Sequence, residues 1–148
     1  MANISDELMD HTWKKVGSGQ PHQLQAMQKK HQRDQKALTK FAYRHLMELP
    51  VDAAGVGLYV FHVILEAFFA LSPRPRAVRR SAIDLTWKLP AEVLAENVRT
   101  KEPYAAQYLE DALTEGDEVD LTESERALCS HVIQVAILNL HGACENRR

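Results

Sequence analysis

Residues 53–71 read Ala-Ala-Gly-Val-Gly-Leu-Tyr-Val-Phe-His-Val-Ile-Leu-Glu-Ala-Phe-Phe-Ala-Leu, apolar on every side of any helix they form. A helix of that kind has to be covered all round. The rest of the chain is therefore expected to pack about it. The stretch has the length of a membrane span, about 20 residues. It also carries His62 and Glu66, and a central carboxylate costs roughly 2.5–3.5 kcal/mol on insertion scales. A buried strand rarely exceeds about 8 residues. The reading is a buried central helix, with Asp52 as its cap and Ser72-Pro73 as its end, since the residue before a proline leaves the helical region.

The flanking sequence supplies the covering helices. Ile4 to Val16 forms a short helix capped by Ser5 or Asn3, and Gly17-Ser18-Gly19 breaks it. Pro21 opens a long helical pattern to Leu49, apolar in its second half and Gln-rich in its first. The basic connector around Pro73 and Pro75 leads to Ala77–Leu89, with Val78, Ala82, Leu85 and Leu89 on one face. Helices over 91–98 and 103–115 follow, the second closed by Gly116 ahead of an acidic loop. Thr122-Glu123-Ser124-Glu125 has the form of a capping box and starts an apolar helix, 123–141, ended by Gly142. No stretch alternates as a strand does. The expected fold is all-α: one domain over 1–148, a bundle of about five to seven helices around the 53–71 and 123–141 helices. Residues 1–20 form an N-terminal helix and a flexible break.

A straight helix over 22–49 would measure roughly 42 Å, longer than a compact domain of this size is wide, roughly 38 Å. Its bare half, 21–35, is then a protruding arm, and the arm favours a homodimer.

Charge narrows the partners. The net charge is −2, which argues against general attraction to nucleic acid or membrane. The distribution is uneven. Between Lys14 and Arg44 stand eight basic residues and one acid, and between Glu92 and Glu125 eleven acids and two bases. The two halves are expected to meet, within or between chains. Cys129 and Cys144 fall on one helix, roughly 22 Å apart, too far for a disulfide. With acidic residues where a signal peptide would have basic ones, a reducing, cytoplasmic setting is expected.

Tyr59, His62 and Glu66 are spaced by three and four, so they share one helix face. Inward Glu and His at helical spacing build metal sites in bundles, with His131 on the last helix as a further ligand. The order here is His before Glu and no second copy exists. The simpler reading is a buried network with Glu66 paired to an arginine. No Cys–Cys or His–His zinc clamp is present, although His141 and Cys144, three apart, could share a metal at a subunit contact, and no Cys–His pair carries the third group a nucleophile needs. Gly55 and Gly57 follow no strand, so they serve close helix packing and not a dinucleotide. Lys29, Arg33, Lys36, Lys40 and Arg44 form a helical stripe of cations that can contact phosphates.

Three functions are compatible with these residues. The first is a non-enzymatic protein working by association, with itself or with a protein partner. The second is a metal- or small-ligand-binding bundle using Tyr59, His62 and Glu66. The third is nucleic-acid binding through the basic stripe, which the acidic balance opposes. No catalytic residues, cofactor or membrane anchor are expected.

Overall fold

A computed structural model of the protein describes residues 3–72, 74–115 and 119–145. Among them stand eight helices and no strand. They are α1 (Asp6–Gly17), α2 (Pro21–Asp34), α3 (Lys36–Leu46), α4 (Val51–Leu71), α5 (Arg80–Trp87), α6 (Ala91–Lys101), α7 (Pro103–Thr114) and α8 (Glu123–Glu145). The all-α expectation holds, with eight helices in place of five to seven. Pro73 and Gly116 lie outside the described residues.

The apolar helix is the hub. α4 packs against α1, α2, α3, α7 and α8, and α8 packs against α3 to α7. Phe61, Val63, Ile64, Leu65, Ala67 and Phe68 are fully buried, as are Val132, Ile133, Val135, Ala136 and Ile137 opposite them. Both α4 and α8 are long and apolar enough to cross a membrane by length and composition. A core helix passes the same test; here α4 is mostly buried among its neighbours, and α8 is buried along one side.

Close approach of α4 to its neighbours depends on Gly57. A methyl there would come within 2.9 Å of Cys129 Sγ and 3.2 Å of Leu46 Cδ2, whereas at Gly55 it would meet nothing within 4 Å. The packing role read for both glycines thus belongs to Gly57.

The largest departure from the sequence reading is the 21–49 helix, which breaks at Gln35. This residue has φ −129° and ψ 59°, outside the helical region. Its side chain is buried and fully used: Nε2 donates to Arg76 O at 2.8 Å, and Oε1 accepts from Val78 N at 2.9 Å. The carboxamide thus pairs with the backbone of residues 76 and 78, which lie outside any helix. Those bonds offset the helical geometry lost at the kink, because a buried amide without partners would cost about 1–3 kcal/mol. The kink lays α2 along α4, with Leu24 and Met27 against the core and His31 fully buried. Residues 21–35 therefore do not project as an arm. The premise of a straight 42 Å helix fails at one residue.

The same pairing shortens α5. Val78 is committed to Gln35, so the helix starts at Arg80 and not at Ala77. Ile83 becomes its buried residue, while Leu85, assigned to the inner face, is 71% exposed. Asp52 makes no cap bond: α4 starts two residues earlier, at Val51 behind Pro50, and Asp52 sits in its first turn. Ser5 does cap α1, accepting from Leu8 N at 3.1 Å, and Asn3 instead donates to Lys101 O. The capping box of α8 is reciprocal, with Thr122 N to Glu125 Oε1 at 2.8 Å and Glu125 N to Thr122 Oγ1 at 3.2 Å. Gly142 does not end α8, which continues through it to Glu145 with no positive φ.

Candidate functional site

His62 points from α4 into the angle between α2 and α3. Its Nδ1 lies 2.8 Å from His31 Nδ1, and its Nε2 lies 2.8 Å from the Tyr43 hydroxyl. His31 Nε2 in turn lies 3.0 Å from Glu66 Oε1, one turn further along α4. The four side chains form one hydrogen-bonded chain: Tyr43, His62, His31, Glu66. The kink makes it possible, since it brings His31 of α2 and Tyr43 of α3 to the same ring from two directions. Thr39 Oγ1 donates to His31 O at 3.2 Å across the break and fixes the turn that carries His31.

The middle of the chain is dry and the ends are not. His31 and His62 are buried, whereas the Glu66 side chain is 21% exposed and Tyr43 is half-buried. The imidazoles stack, centroids 5.1 Å apart, and Phe69 covers the other side of His31 at 5.2 Å. Burial, and secondarily the charge on His31, push His62 down to about 3, so its ring stays neutral. The hydrogen bond from His31 holds the Glu66 carboxyl below its ordinary value against the opposing effect of burial, with help from Lys15 and Lys30. Tyr43 is raised by burial, and the Gln32 amide beside its oxygen works against that.

Donor roles follow from the ends inward. The Glu66 carboxylate only accepts, so His31 donates through Nε2. With His31 neutral, its Nδ1 then accepts from His62 Nδ1–H, which leaves His62 Nε2 to accept from the Tyr43 hydroxyl. All bonds point one way, from phenol to carboxylate. A proton added to the His31–Glu66 end reverses the first two: His31 Nδ1–H donates to His62, and His62 Nε2–H donates to the Tyr43 oxygen.

The phenol end opens on a surface groove of about 710 Å³ lined by Gln32, Arg33, Lys36, Thr39, Lys40 and Tyr43. Three members of the basic stripe thus meet here, while Lys29 and Arg44 are exposed outside that lining. Arg33 is engaged with Asp34 at 2.9 Å. Among the described residues no ion pair involves Lys36 or Lys40. Nor, among the described residues, does any ion pair link the basic 14–44 segment to the acidic 92–125 segment.

Of the residues singled out from sequence, the structure joins His62 to Glu66, through His31. Tyr59 is not brought to His62, because Tyr43 fills that position. It lies two turns from Glu66 and is 42% exposed, lining a separate groove with Tyr108. His131 donates from Nε2 to Trp87 O at 3.1 Å and packs edge-on to the Trp87 ring, which also stacks on His45. Glu66 pairs with a histidine and not an arginine. Among the described residues no group of three or more His, Cys, Asp or Glu is disposed to hold a metal ion. His141, weighed with Cys144 as a metal pair, bonds through Nδ1 to Glu102 Oε2 at 2.7 Å, and Glu102 also accepts from Ile4 N. Sequence reading missed that buried carboxylate. It missed His31 and Tyr43 as well. The available signal was the core stripe Leu24, Met27, Leu38 and Ala42, on which His31 and Gln35 occupy the intervening inward positions.

The fold and site define a helical bundle with a buried polar chain that ends on a cationic groove. No family model, curated protein or solved structure matches the chain, so function rests on this geometry.

Proposed function

We propose that the protein is a small-ligand-binding bundle, with the ligand seated in the groove at the α2–α3 kink and in contact with Tyr43. The observation that carries this reading is the position of the Tyr43 oxygen. It is the end of the four-residue polar chain, on a residue that also lines the open groove. Buried polar networks are costly when incompletely satisfied, and an apolar core would serve stability as well. A chain with one end in a groove of ligand-binding size has a use beyond holding helices together. NMR titration with a small polar-fragment library tests it. Shifts should cluster at Gln32 to Tyr43 and weaken in Tyr43→Phe. Clustering elsewhere, or no binding, refutes the reading.

A second reading, association, is supported by a different face. Met47 and Val51 are 61% and 84% exposed, and Val51 leads into the apolar groove of Val56, Tyr59, Tyr108 and Ala112. Exposed apolar patches mark contact surfaces, and a homodimer formed there would bury them. Light scattering should give a dimer that Val51→Glu dissociates, and a concentration-independent monomer refutes it.

A further inference from the structure

We infer that the ligand of the groove is a small oxyanion, and that the protein takes up one proton when it binds. This rests on the proposed function of the groove and adds the ligand class and a coupling. The class follows from the lining: Lys36 and Lys40 stand there without a carboxylate partner among the described residues, with Gln32 and Tyr43 as further donors. Cations and neutral donors converging on one groove suit a carboxylate or a tetrahedral oxyanion.

The coupling follows from the direction of the hydrogen bonds. Without ligand and with His31 neutral, the Tyr43 hydroxyl proton is spent on His62 Nε2. To donate to an anion it must turn away, which sets the Tyr43 oxygen against the bare His62 Nε2 only 2.8 Å away. The conflict is relieved when His62 carries its proton on Nε2. His62 Nδ1 must then accept from His31 Nδ1–H, and His31 can supply that while keeping Nε2–H on Glu66 only as an imidazolium. One proton enters from solvent at the partly exposed Glu66 end. Only N–H and O–H bonds change, and His62 is neutral before and after. The charged groups facing His31 are Glu66 on α4 and Asp34 on α2, while Lys15 on α1 and Lys30 on α2 act on Glu66. His62 and Tyr43 complete its titratable surroundings.

Calorimetry with sulfate and with acetate, in buffers of different ionisation heat, measures the proton directly. Sulfate has no proton to exchange between about pH 5 and pH 8, the range in which an imidazole switches; the two probes separate tetrahedral from planar oxyanions. The expected result is binding weakened by Lys36→Gln and Lys40→Gln. Uptake should approach one proton where His31 starts neutral, with affinity rising up to roughly tenfold per pH unit of acidification. Tyr43→Phe should bind more weakly and without uptake. Binding with no uptake at any pH, or uptake persisting in Tyr43→Phe, overturns the coupling and leaves the groove standing. Binding unaffected by the lysine changes, or absent for both anions, overturns the oxyanion assignment. The fragment titration then separately decides whether the groove binds anything.

Discussion

His62 can sit in the core because burial keeps it neutral, and that has a consequence for stability. Its folded value is depressed to about 3 from an ordinary 6.5. For a base so depressed, the unfolded chain binds a proton that the folded chain refuses. Stability is therefore complete above about pH 6.5 and falls as pH drops from there toward 3, at up to roughly 1.4 kcal/mol per unit. Glu66, depressed below its ordinary 4.5, is ionised in the fold and adds to the loss only below that value. Urea unfolding at pH 7 and pH 5 should differ by about 2 kcal/mol from His62 alone, and His62→Gln should remove most of that difference. An unchanged difference would show that His62 titrates as an exposed histidine. Removing the Glu66 acceptor from His31 with Glu66→Ala should cost about 1–3 kcal/mol. That is less than for a fully buried ion pair, because the Glu66 side chain is partly exposed. Glu66→Gln keeps an acceptor oxygen and should cost less than Glu66→Ala; equal losses in denaturant unfolding would argue against the bond. His62 and Glu66 were legible in the sequence because polar residues in an apolar helix announce themselves. His31 was legible only through its place on the core stripe of Leu24, Met27, Leu38 and Ala42, and Tyr43 was not, since a tyrosine in an amphipathic helix looks like an ordinary surface residue.

At the scale of elements, the two glycines of α4 offer a paired test. Gly57→Ala forces a methyl against Cys129 and Leu46 and should destabilise by about 1–3 kcal/mol. Gly55→Ala meets open space and should stabilise by roughly 0.5–1 kcal/mol through helix propensity. Thermal melts of both variants check this, and the same sign for both would contradict the described approach of α4 to α8. Thr122→Ala should cost about 1 kcal/mol, because the Glu125 amide loses its acceptor; a neutral melt would place the start of α8 elsewhere. The start of α8 and the end of α4 were readable because local chemistry sets them, through the hydroxyl and carboxylate of a capping box and through a proline. The α2–α3 break was not, because no glycine or proline marks it. Gln35 departs from the helix only because a segment some 40 residues later offers it an acceptor and a donor, and tertiary partners of that kind leave no local trace.

For the whole molecule, the all-α class followed from one apolar helix that needed covering. A straight 22–49 helix would favour a dimer, and the kink at Gln35 removes that helix. A bundle with α2 laid on α4 should scatter with a radius of gyration near 15 Å as a monomer; a much larger value at high dilution would mean that 21–35 projects after all. The central claim is that the kink closes the molecule around a single hydrogen-bonded chain from Tyr43 to Glu66. Nitrogen NMR of histidine-labelled protein tests it most directly. The account predicts that, at a pH where His31 is neutral, His62 carries its proton on Nδ1 with Nε2 as acceptor. It also predicts a through-bond nitrogen–nitrogen coupling between His62 Nδ1 and His31 Nδ1, at the 2.8 Å separation found here. Two histidines titrating independently near pH 6.5, with no coupling between them, would contradict it.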